Sequence, residues 1–156
     1  MASCSDVEVR LEQLMPLMQE SLAAGKHVTF GPKGTSMLPM LHPGVDQVTL
    51  SPLPERLKKY DLPLYRRAGG QYVLHRVIRA GETYTCCGDH QYLPEPGLHR
   101  DQMIAVVTAF THRGKQISVE HPLYRIYARF WCASRSTRYF IYRAINKLRR
   151  ILHLNP

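Results

Sequence analysis

Apolar positions recur with two different periods along this chain, and the changes of period divide it into three parts. Val7, Leu11, Leu14, Met18 and Leu22 follow the 3.6-residue period and predict an amphipathic helix over 6–24. Ser5 and Glu8 are spaced as a capping box, Gly25 closes the helix, and Pro16 should kink it. Strand signals take over from 27 to 119, with candidates at 27–30, 47–50, 62–67, 71–79, 83–87, 103–110 and 116–119. Gly69-Gly70, Ala80-Gly81 and Arg113-Gly114 lie between these runs as turns. The stretch 88–100 contains Pro94, Pro96 and Gly97 and reads as a long loop, a feature that in compact domains is often functional.

The helical period returns at 122. Leu123, Ile126, Tyr127, Phe130 and Trp131 make one stripe, with Arg125 and Arg129 opposite. A second stripe, Ile141, Ile145, Leu148 and Leu152, faces away from Arg143, Lys147 and Arg150. The expected architecture is therefore mainly β: a small bent barrel or pair of sheets, an N-terminal helix and a C-terminal cationic helical hairpin. Its parts are a helix at 1–25, a β domain at 26–120 and a basic tail at 121–156.

Charge sharpens that division. The formal net charge is +9, yet eight basic residues and no acid lie from Pro122 onward, leaving 13 basic against 12 acidic residues in the rest. The body is near neutral and needs no polyanion; the tail is what could meet one. Cys4, Cys86, Cys87 and Cys132 form no Cys-x-x-Cys pair and read as reduced thiols. Neither a signal peptide nor an 18-residue apolar span is visible, so the expected location is cytoplasmic or peripheral at a membrane surface.

Three residues carry candidate chemistry. Ser36 follows the glycine-rich turn Gly31-Pro32-Lys33-Gly34 and opens Ser-Met-Leu-Pro. A glycine two positions before a nucleophile lets a substrate backbone come close, and the Ser36 amide could face a developing oxyanion. His75 lies within the 71–79 strand, on the face of Val73 and Val77, and titrates near neutrality as a general base must. Asp89, after Gly88 at a strand end, would fix the His75 tautomer, with Asp101 or Glu95 as substitutes. Taken singly, each has an ordinary reading: a turn serine, a hydrogen-bonded core histidine and an Asx turn.

Together the segments Gly34-Thr35-Ser36-Met37-Leu38-Pro39, His75-Arg76-Val77 and Gly88-Asp89 resemble the conserved boxes of the signal peptidase I superfamily over about residues 28–119. A histidine in the base box is similar to the endoplasmic-reticulum and archaeal type rather than the lysine type. The resemblance implies endoproteolysis through an acyl-enzyme on Ser36, with His75 as base and Asp89 as third member. The substrate, a peptide or precursor protein, would add as a strand beside the site, with small side chains before the cut. Gly34, Thr35 and Met37 would form the oxyanion and substrate contacts, and neither metal nor cofactor is implied. The chain departs from the family in three places. No N-terminal membrane anchor is visible, Gly34 stands where many members have a hydroxyl residue, and His90-Gln91-Tyr92 follows the Gly-Asp pair.

Other classes compete. Cys86, Cys87, Asp89, His90 and His99 include zinc-ligand types, but adjacent cysteines rarely serve one metal. A repressor-like autoprotease that binds nucleic acid would share the fold, yet no helix-turn-helix precedes the body, and Ala24-Gly25 lies too close to Ser36 for self-cleavage. A non-cleaving relative is the third class. For the tail, packing on the body competes with in-plane attachment of 122–153 to an anionic membrane.

Overall fold

The computed structural model describes residues 11–151, with side chains as far as Leu148. Cys4, the Ser5–Glu8 capping box, Val7, Leu152 and the side chains of Arg149 and Arg150 lie outside the described residues.

Helix α1 (Leu11–Ala23) buries Met15, Met18 and Leu22, as the 3.6 period requires. It ends in a Schellman arrangement: the Gly25 amide (φ 74°) donates to Leu22 O and the Lys26 amide to Ser21 O. Among the described residues nine antiparallel strands follow in two sheets. In the larger sheet β1 (Val28–Phe30), β2 (Val48–Pro52), β8 (Met103–His112), β3 (Pro63–Arg66) and β4 (Tyr72–Leu74) lie in that order, and β9 (Lys115–Ser118) pairs with β8. Register shifts in β2 and β3 against the long β8 mark where this sheet curls into a half-barrel. The smaller sheet is β5 (Arg76–Ala80), β6 (Tyr84–Cys87) and β7 (Glu95–Leu98).

Two expectations need correction. The single strand expected over 71–79 breaks at His75, where the chain leaves the larger sheet and enters the smaller one. Alternation survives the break: Val73 and Val77 pack on one hydrophobic cluster with Tyr65, Tyr84 and Met103, while Leu74 joins the main core with α1, Leu50 and Val107. The stretch 88–100 is not all loop either, since it contains β7. Pro96 is admissible there because β7 is an edge strand, where an absent amide breaks no ladder.

The tail forms two consecutive helices, α2 (Pro122–Ala133) and α3 (Arg135–Ile151), with Ser134 between them. The expected stripe on α2 is divided: Tyr124, Tyr127, Ala128 and Trp131 turn toward the body, whereas Leu123, Ile126 and Phe130 are exposed. Tyr124 packs on Phe110 with ring centroids 5.2 Å apart.

Candidate active site

Ser36 lies in the loop between β1 and β2. Gly34, at φ 105°, takes a conformation that would strain any other residue and sets the path into Ser36. Met37, Met40 and Leu41 are buried behind the loop, which anchors it to the core. Its front is held by the smaller sheet: the His90 amide donates to Ser36 O at 2.8 Å, and a Cβ on Gly88 would stand 2.6 Å from the same oxygen. Glycine at 88 is thus the residue that lets the Gly-Asp turn press against the Ser36 backbone.

Ser36 and His75 line one pocket of about 200 Å³ with Gly34, Met37, Tyr72, Val73 and Leu74 among its walls. Strand β4, which supplies 72–74, is the edge of its sheet and so offers unpaired backbone groups there. The pocket is smaller than the ~300–1,000 Å³ of ligand clefts.

His75 is almost wholly buried, and its Nδ1 faces acceptors. Tyr65 Oη lies 3.1 Å away and Glu95 Oε1 3.3 Å away. The Tyr65 hydroxyl donates its one proton to Glu95 Oε2 at 3.0 Å, so His75 Nδ1 carries a proton and Nε2 is the basic nitrogen. Arg67 holds Glu95 from outside, with Nε donating to Oε2 at 2.8 Å and Nη2 donating to Oε1. That pairing keeps the Glu95 carboxyl below its ordinary value. Burial pushes His75 down to about 4, only partly offset by Glu95, so its imidazole is neutral at pH 7. Burial, and then the Glu95 charge, raise the Tyr65 phenol well above the ordinary range, keeping it protonated as a donor.

Asp89 is paired with Arg76 rather than with His75. Its carboxylate accepts from Arg76 Nε at 2.8 Å and Nη2 at 2.6 Å, a bidentate pair with both side chains buried. Burial opposes the Arg76 charge, but the Asp89 carboxylate outweighs it and raises the guanidinium's pKa. Arg76 Nη1 also donates to Tyr124 Oη at 2.8 Å. The α2–α3 segment closes over this pair: Trp131 Nε1 and Arg138 Nη1 both donate to Asp89 O, at 2.8 and 3.1 Å. The Gly-Asp turn therefore works as a brace between the Ser36 loop and the tail, and Glu95 is the carboxylate at His75. Asp101 is exposed on a 3₁₀ turn at Arg100–Gln102.

Of the other expected contacts, Gly34 and Met37 line the pocket; Thr35 is exposed and its carbonyl accepts from the Leu38 amide. Tyr65 and Arg67 carry no motif in the sequence, and Glu95 stood there only as a substitute for Asp89. A tyrosine two residues before an arginine on a strand was the available signal, since alternation separates their faces from Arg66. Cys86 is in the core, the Cys87 thiol donates to Gln91 and Leu93 carbonyls, and His90 and His99 are exposed, so these groups do not converge. Burial raises the Cys86 thiol to about 12 and moves Cys87 and Cys132 in the same direction, which disfavours their thiolates.

Comparisons of the chain with protein-family models, with curated proteins and with solved structures find no match.

Proposed function

We propose that the protein is a serine endopeptidase in which Ser36 is the nucleophile, His75 the general base and Glu95 the group that orients His75. The observation that carries this reading is the His75 environment: Nδ1 is committed to Tyr65 and Glu95, while the ring shares one small pocket with Ser36. A buried histidine serving only the core would have no need of a carboxylate clamped by an arginine beside an open cleft.

A peptide would enter as a strand along the β4 edge, fixed by main-chain hydrogen bonds, with a small side chain against Met37 and Leu74. His75 Nε2 takes the Ser36 hydroxyl proton as Oγ adds to the scissile carbonyl. The imidazolium then gives that proton to the departing amine as the C–N bond breaks, leaving an ester on Ser36. Water, deprotonated by the same nitrogen, cleaves the ester and restores the hydroxyl. Backbone amides near Gly34 and Ser36 would receive the oxyanion. Incubation with a peptide library tests the assignment. Wild type should cleave after small residues, and both Ser36→Ala and His75→Ala should abolish cleavage while remaining folded. Cleavage that survives either change would overturn it.

We further infer that the tail attaches the enzyme to an anionic membrane surface. No helix among the described residues is long and apolar enough to cross a membrane. Exposed apolar side chains are nonetheless concentrated on the two basic helices: Leu123, Ile126 and Phe130 on α2, and Phe140, Ile141, Ile145 and Leu148 on α3. Apolar stripes flanked by arginines on helices that carry no acid suit in-plane binding to acidic head groups. Flotation with vesicles containing phosphatidylglycerol should capture wild type and lose Phe140→Asp/Leu148→Asp. Equal recovery on neutral vesicles, or no effect of the double change, would refute attachment of this kind. Deletion from 122 onward would be a poor test because α2 braces the Asp89 turn.

A further inference from the structure

We propose that His42, Asp46 and His112 form a site for a first-row divalent transition metal, Zn²⁺ foremost, which ties the loop after Ser36 to the end of β8. Among the described residues this is the one place where three histidine, cysteine or acidic side chains bring ligand atoms together, all within 4.8 Å of one another. It lies apart from the pocket of Ser36 and His75, and His42 and His112 line a separate open groove of about 780 Å³.

Spacing is the first argument. His42 Nδ1 is 3.2 Å and His112 Nδ1 3.5 Å from the same oxygen, Asp46 Oδ2. Tetrahedral zinc with bonds of about 2.0–2.1 Å places its ligand atoms roughly 3.3–3.4 Å apart, so both separations match an edge of that polyhedron. An octahedral ion such as Mg²⁺ prefers oxygen donors, whereas two imidazoles and one carboxylate suit zinc and its neighbours. Met40 O, 3.2 Å from His112 Nδ1, or a water from the groove can complete the fourth position.

Redundancy is the second argument. Asp46 is buried, but its carboxylate is already satisfied by main chain: the His42 amide donates to Oδ2 at 2.9 Å and the Arg113 amide to Oδ1 at 3.3 Å. Two imidazoles converge on the same oxygen, Asp46 Oδ2, in addition to these amides, so the pair is free to turn its Nδ1 lone pairs to a cation. The same two amides would fix the carboxylate as outer-sphere donors do in metal sites. Coordination through Nδ1 leaves each imidazole its proton on Nε2, so both ligands stay neutral and Asp46 supplies the negative charge.

The measurement is titration of chelator-treated full-length protein with Zn²⁺ alone, followed by calorimetry, and with Co²⁺, followed by visible absorption. One Zn²⁺ per chain is expected, with the intense d–d bands of four-coordinate Co²⁺. At a hundredfold excess over Kd the melting temperature should rise by about 5–10 °C. His42→Ala and His112→Ala, at partly exposed positions where the fold tolerates truncation, should each weaken binding at least ~10–100-fold. His99→Ala should leave it unchanged. Substoichiometric binding, Co²⁺ spectra of six-coordinate type, or affinity unmoved by both histidine changes would overturn the proposal. None of these readouts requires peptidase activity, so they fail or succeed independently of the Ser36–His75 reading.

Discussion

Residues 75 and 76 are neighbours in the chain and belong to opposite kinds of polar site. His75 ends in a cluster that is open on one side: Tyr65 and Glu95 hold one ring nitrogen, Arg67 screens Glu95 toward solvent, and the other side of the residue meets the pocket. Arg76 ends in a sealed pair with Asp89, roofed by Tyr124, Trp131 and Arg138. Strand alternation sends two adjacent polar side chains in opposite directions, and the break between the sheets at His75 gives each its own surroundings. An open cluster can change its protonation during a reaction. A sealed ion pair cannot change without unfolding its surroundings, so it serves position.

Breaking the open cluster at its centre should give the largest effect on turnover. Ser36→Ala or His75→Ala should lower kcat by about 10⁴-fold or more, the exchange at Ser36 with little loss of stability, and the double change should cost no more in rate than either alone. Stability, not chemistry, should register the sealed pair. Asp89→Leu strands a fully buried guanidinium and should cost about 3–5 kcal/mol, seen as a large drop in denaturation midpoint. Wild-type stability in that variant would show that Asp89 braces nothing.

Glu95→Gln sharpens the comparison because it keeps the shape of the open cluster and removes its charge. It should reduce kcat by about 10²–10⁴-fold with KM almost unchanged and the fold intact. A smaller effect is expected from Gly88→Ala, whose methyl meets Ser36 O at 2.6 Å and must displace the nucleophile loop. A shift near 1 Å there can cost roughly 10²-fold in rate.

The pH profile tests the same contrast. In the proposed mechanism neutral His75 is the base, and burial places its titration at about 4, well below the ~6.5 of a free histidine. The rate should therefore be flat through neutrality and fall only as pH approaches 4. In Glu95→Gln the acid limb should move lower still, because the carboxylate that favours the imidazolium is gone. Stability follows the same sign: between about 6.5 and 4 the unfolded chain takes up a proton that folded His75 refuses, so the fold weakens as pH falls across that window. An acid limb near 6.5 would show that the ring is solvated.

Much of this was readable in the residues. The 3.6 period found α1, α2 and α3, and the turn residues separated most strands, because local steric preference decides both. The Ser36 and His75 segments carried their own flanking pattern. The pairing of Asp89 with Arg76 was not legible, because it is fixed by which sheet the chain enters after His75 and no local pattern in 71–79 announces that break. Glu95 stayed hidden because Pro94, Pro96 and Gly97 mask an edge strand as a loop. The clamp of Tyr65, Arg67 and Glu95 joins two sheets, so only the tertiary fold brings its members together.

The rate at which a fluorophosphonate modifies Ser36 reports on the nucleophile and its base together and needs no knowledge of the natural substrate. Wild type should take one phosphonyl group per chain on Ser36, with near-complete loss of labelling in His75→Ala and slow labelling in Glu95→Gln. A wild-type Ser36 that does not react, or one that reacts equally fast without the His75 imidazole, would contradict the assignment of Ser36 as nucleophile and His75 as base.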